Sequence, residues 1–161
     1  MRKIIFTIVF SVIVFILENI LYDIFGKFFL PNLMLLFVIY INLAFGIRFS
    51  ILAASLAGIL EDSFGTGVFG QSIFVYLLSA YFTTYLKRYL HYVASQRSRL
   101  LLVFFVSIFC FLTQLLVHWA FGSVNIVQSL RFVLIPEVIT TLIITTFFFQ
   151  QMRRCVLKLF V

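Results

Sequence analysis

Apolar residues run along this chain in long blocks, interrupted by short polar knots. The blocks are too long and too unbroken for the alternating faces of a soluble fold, and they read as membrane helices. The expected helices lie at about 4–24, 31–46, 48–62, 70–86, 100–119 and 132–152. Basic Arg2 and Lys3 before the run from Ile4 resemble a signal-peptide start, but no small-residue cleavage site follows, so an uncleaved first helix is expected. Pro31 suits the first turn of the second helix, where its missing N–H would have had no partner. The apolar core of the third, from Phe49 to Leu60, is short: its 12 residues rise roughly 18 Å against roughly 30 Å of hydrocarbon. The sixth is expected to begin near Pro136 and to end at Met152.

Composition agrees with this pattern. Of 161 residues, 64% are hydrophobic and only 11% charged, where a soluble domain carries about a quarter. The whole of 1–161 is read as one integral membrane domain of all-α, six-helix polytopic type. The net charge of +7 comes without an arginine-rich nucleic-acid motif, so loop basicity is preferred to nucleic-acid binding. Cys110 and Cys155 lie far apart and show no metal spacing.

Charge then orients the helices. With six spans and both termini in the cytoplasm, Arg2, Lys3, Arg48, Lys87, Arg88, Arg97, Arg99, Arg153, Arg154 and Lys158 fall inside, ten of the 12 basic residues. Only Lys27 and Arg131 fall outside. Lys87, Arg88, Arg97, Arg99, Arg153 and Arg154 form the expected cytoplasmic basic surface. The acids sort the other way: Glu18, Asp23, Glu61, Asp62 and Glu137 all fall toward the outer side, joined there by Gln114 and His118. Polar helix ends account for this, and an outward-facing cluster that binds a ligand or partner segment is the sharper alternative. Glu137, Thr141 and Thr145 make a line of period four, read as glue between helices.

The most informative stretch is Gly58 to Gly70, G-I-L-E-D-S-F-G-T-G-V-F-G. Two carboxylates, Glu61 and Asp62, meet three glycines, Gly65, Gly67 and Gly70, so the chain is expected to turn here and reach water or a polar partner. Ahead of it, Ser50, Ala54 and Gly58 recur every four residues and would let another helix approach closely. No enzyme site meets the usual checks. The two histidines, His91 and His118, fall on opposite sides, and adjacent Glu61 and Asp62 point about 100° apart on a helix and share a proton poorly. No catalytic residue, cofactor or metal site is assigned.

F-L-P-N-L-M-L-L-F-V-I-Y at 29–40, followed by A-G-I-L-E-D-S-F-G-T-G-V-F-G at 57–70, resembles the bacterial MreD family. That family has a proline-started helix and then a Gly-x-Leu-x-Asp turn with further glycines, here Gly58, Leu60 and Asp62 followed by Gly65, Gly67 and Gly70. The specific part covers about Phe28 to Leu90. The resemblance implies a non-enzymatic plasma-membrane component of the cell-elongation machinery. It implies pairing with MreC, and a link between cytoplasmic MreB filaments and the glycosyltransferase RodA with its partner transpeptidase. It also implies a fold like the substrate-binding subunits of energy-coupling-factor vitamin transporters.

Two further readings therefore stay open beside a scaffold. One is a transporter subunit lined by Glu18, Glu61, Gln114, His118 and Glu137; the other is an intramembrane enzyme acting on a lipid. On the scaffold reading, reversing the charge of Arg97 and Arg99 weakens a cytoplasmic association and leaves insertion intact. Pull-down of the tagged variant measures this, and unchanged recovery of every partner counts against it.

Overall fold

The computed structural model describes residues 2–25, 31–64, 69–89, 96–120 and 135–160. Among these, six helices follow one another: α1 (Arg2–Phe25), α2 (Leu33–Phe45), α3 (Ile47–Phe64), α4 (Gln71–Tyr89), α5 (Gln96–Ala120) and α6 (Ile135–Phe160). Within them, Lys3–Ile24 and Arg97–Val117 are each long and apolar enough to cross a bilayer.

The shortest helix is at the centre. α2 packs against all five others, and α1, α3, α4, α5 and α6 surround it in that order. Every side chain from Leu33 to Asn42 is buried. The reason lies in its sequence, L-M-L-L-F-V-I-Y-I-N, which offers no polar stripe to turn outward. The surrounding helices do have an outward face. On α1 it carries Ile5, Val9, Val12, Ile16 and Ile20, and on α6 Ile139, Ile143 and Phe147.

α2 and α3 are joined by Gly46 alone, at φ +88°, a conformation that β-carbons disfavour. Gly46 donates its N–H to the Asn42 carbonyl and accepts from the Ser50 N–H, so it closes one helix and opens the next. A one-residue link forces α3 back against α2. There Ser50, Ala53, Ala54, Ala57 and Gly58 are all buried. The Ser50 hydroxyl donates to the Val38 carbonyl of α2 at 3.2 Å. At Gly58 the backbone of α4 comes so close that a β-carbon would collide with the backbone of Ile73. The small-residue face is thus occupied by this chain's own α2 and α4, not left open to a partner helix.

Three expectations about elements change. α3 is 18 residues long, roughly 27 Å, beginning one residue before and ending two residues after the expected 48–62. Pro31 stands outside α2, one residue before the N-cap Asn32, and its carbonyl accepts the Leu33 N–H. α6 does not stop at Met152 but continues through Arg153 and Arg154 to Phe160, since nothing in R-R-C-V-L-K-L-F breaks a helix.

Consecutive helices run in opposite directions and sort charge between the two ends of the bundle. One end gathers the starts of α1, α3 and α5 and the ends of α2, α4 and α6. Lys3 sits over the Phe45 ring there, with its Nζ 5.3 Å from the centroid. The other end holds Glu18, Asp23, Glu61, Asp62 and the position of Glu137.

The contact at Gly58 predicts that Gly58→Ala destabilises the fold by about 3 kcal/mol, because backbone rather than a side-chain tip must yield. Denaturant unfolding in detergent measures this. Ala57→Gly, on the same helix, leaves the α3–α4 approach unchanged and costs about 1 kcal/mol from helix propensity and lost packing.

Candidate functional site

The polar residues singled out by sequence converge on helix ends. A helix buried among other helices still has N–H groups unpaired in its first turn and carbonyls unpaired in its last. Water cannot reach them, so side chains must. At the start of α2, Asn32 accepts the Leu35 N–H at 2.8 Å, and Glu18 of α1 accepts the Met34 N–H at 3.0 Å. The Asn32 N–H donates in turn to Thr141 Oγ1 of α6 at 3.2 Å. Tyr76 of α4, fully buried, donates its hydroxyl to Asn32 Oδ1 at 3.3 Å and lies beside Glu61 of α3. Five helices therefore contribute to one knot around the first turn of α2.

Asp62 performs the same task for α4. The residue at the N-cap of α4 is Gly70, which has no side chain to offer. Asp62 Oδ2 accepts the Gly70 N–H at 2.8 Å and the Ile73 N–H at 3.4 Å, and Oδ1 accepts the Ser72 N–H at 3.0 Å. A carboxylate at a helix start also meets the positive end of the helix dipole. Gly70 itself, at φ +97°, brings the chain round so that these N–H groups face back toward α3. Glu61 and Asp62 thus go to different places, as neighbours on a helix must. Both stand on α3, inside the span 48–62 expected for that helix, although the stretch from Gly58 to Gly70 was expected to turn. Leu60 is half-buried against the core, while Gly65 and Gly67 lie outside the described residues.

The opposite end of α2 is closed by a cation. Lys87 of α4 donates from Nζ to the Asn42 and Leu43 carbonyls, each at 3.4 Å. Asn42 in turn donates from Nδ2 to the Ala80 carbonyl and to Thr84 Oγ1, both at 2.9 Å. Lys87 was expected on the cytoplasmic surface, but it is half-buried and holds two helices together. Sequence reasoning missed Asn32, Asn42 and Tyr76. An asparagine beside a proline at the head of an apolar run is an N-cap signal that could have found the first of these.

Gln114 is half-buried on α5; the side chains of His118 and Glu137 lie outside the described residues, on α5 and α6 respectively. The Thr145 hydroxyl donates to the Thr141 carbonyl, back-bonding along its own helix, while Thr141 joins α6 to α2.

Comparison with known protein families matches residues 1–156 to the family described as rod shape-determining protein MreD. The chain belongs to the MreD family. No curated protein and no solved structure matches it. MreD proteins are membrane proteins with a role in rod shape determination. Gly58 and Asp62, two of the residues that carried the resemblance, set the α3–α4 contact and the cap of α4 in this MreD chain.

The capping geometry predicts that Asp62→Ala costs about 2 kcal/mol, from loss of both hydrogen bonds and charge at the helix start, and Asp62→Asn about half as much. Hydrogen exchange should locate the loss at the amides of Gly70, Ser72 and Ile73. Exchange that speeds equally throughout α4 would contradict a local cap.

Proposed function

We propose that this MreD chain is a non-enzymatic scaffold of the rod-elongation complex in the bacterial plasma membrane. It binds MreC, and through that pairing connects MreB filaments in the cytoplasm with RodA and its transpeptidase. In this reading all six helices span, with the basic end in the cytoplasm, where the positive-inside rule puts it.

The observation that carries the proposal is the family match over residues 1–156, taken together with what the polar groups do. Glu18, Asn32, Asp62 and Lys87 bond to helix ends. A scaffold needs such a rigid frame and an exterior that partners can read. Here the exterior consists of outward apolar faces and a basic end where Arg88, Arg97 and Arg154 are exposed.

Copurification of the tagged protein from its native membrane, with mass spectrometry of proteins and small molecules, tests this. The expected result is a single-span partner with a large extracytoplasmic domain and no stoichiometric small molecule. A bound vitamin-like compound together with an energising subunit overturns it in favour of a transporter. Activity on a lipid that is lost in Asp62→Asn, with folding and assembly intact, overturns it in favour of an enzyme.

A further inference from the structure

α4 turns a row of phenols outward. Tyr81, Tyr85 and Tyr89 stand at every fourth position of the helix, with 55%, 56% and 67% of their surfaces exposed. Phe74, also exposed, continues the row toward the far end. The Tyr85 hydroxyl donates to the Tyr89 hydroxyl at 3.1 Å. Among the described residues the Tyr81 hydroxyl has no hydrogen-bond partner.

Depth makes Tyr81 the informative member. Tyrosines gather where a membrane helix meets the headgroups, and Tyr89, at the basic end, fits that habit. Tyr81 lies ten residues after Gln71 and eight before Tyr89, roughly 15 Å and 12 Å along the axis, and so near mid-span. Helical side chains lean toward the N-terminus of their helix, which carries this hydroxyl away from the basic surface rather than out to it. A hydroxyl left unpaired in hydrocarbon is costly, and acyl chains offer it no acceptor. Whatever covers this face must bring a polar group to mid-depth.

We propose that α4 packs against α4 of a second copy of this chain, across a twofold axis along the membrane normal. The row is its own complement. A phenol both donates and accepts, and the Tyr85–Tyr89 bond shows that phenols one turn apart on this helix reach each other. Across the axis, the Tyr81 hydroxyl donates to the Tyr85 hydroxyl of the other copy. Arg88, exposed beside the row, fits the same symmetry. Successive residues point about 100° apart, so Arg88 and Tyr89 flank the line through Tyr85 on opposite sides. A twofold axis brings opposite edges together, so Arg88 meets Tyr89 of the other copy rather than a second Arg88. A guanidinium over a phenol ring is favourable, and the contact occurs twice. The proposal rests on the reading in which α4 spans the membrane, and not on what the scaffold binds.

Self-association is measured by energy transfer between full-length chains, labelled at the N-terminus with donor or acceptor, in phosphatidylcholine vesicles over a range of protein-to-lipid ratios. The expected result is a reversible dimer. Tyr81→Phe keeps the ring and removes only a hydroxyl that its own chain does not use. It should leave thermal unfolding unchanged and weaken the dimer about ninefold, two bonds at about threefold each. Arg88→Gln removes two ring contacts and should weaken it about fivefold, while Arg88→Lys should keep most of the affinity. In a Cys155→Ser background, Tyr85→Cys should cross-link on oxidation, and Ile143→Cys, on the outward face of α6, should not. A chain that stays monomeric, a dimer that Tyr81→Phe or Arg88→Gln leaves at full strength, or equal cross-linking through position 143 overturns the proposal. Labelling of Phe74→Cys and Tyr89→Cys from either side of the membrane reads the spanning of α4 separately. Reaction of both from one side overturns that reading and the proposal with it; reaction from opposite sides without a dimer overturns the proposal alone.

Discussion

Everything in this bundle depends on closing the ends of a buried helix without water. α2 has 13 residues, rises roughly 20 Å, and packs against five neighbours, which bury it from Leu33 to Asn42. Its terminal N–H and C=O groups must then be bonded by the protein, because each one left unpaired in an apolar setting costs several kcal/mol. Glu18 and Asn32 close one end and Lys87 the other. The signs are those that a helix dipole favours, acid at the start and base at the finish. Ion pairs between side chains are not required for this. The partner of each charge is a row of backbone dipoles.

The same rule explains a motif that would otherwise look like two unrelated requirements. Gly58 lets α4 approach α3 to backbone contact, and only at that closeness can Asp62, one turn further on, reach across to the first amides of α4. Gly70 leaves the N-cap position empty for it. Small residue, carboxylate and glycine are thus three parts of one joint. Leu60, on the turn between Gly58 and Asp62, packs against the core and fixes how α3 is rotated.

Much of this was legible in the sequence, and what was not has a physical cause. Apolar blocks announce helices because the requirement they meet is local, and the resemblance carried by 29–40 and 57–70 led to the family that residues 1–156 match. The direction of the polar side chains was not legible. Glu18 and Lys87 looked like an outer cluster and a solvated surface because their partners are backbone atoms on other helices, 16 and 44 or more residues away. Backbone atoms leave no trace in composition. The stretch from Gly58 to Gly70 was expected to turn for a related reason: an acid followed by glycines reads as a chain leaving the membrane, whereas Gly70 frees a helix start for Asp62 to cap. The expected reach of α3 and α6 fell short because apolar runs end before helices do.

One bond bears on how the chain is made. The N–H of Asn32 donates to Thr141, 109 residues later in the sequence. A ribosome adding about 5–20 residues per second needs on the order of ten seconds to bring that hydroxyl into being. Throughout that interval the nascent hub has its Glu18 cap available, while the Lys87 cap arrives midway and the Thr141 acceptor last. The sixth helix is therefore the latch of the assembly, and a chain interrupted before it would present membrane quality-control proteases with a hub whose leading amide has yet to find its acceptor.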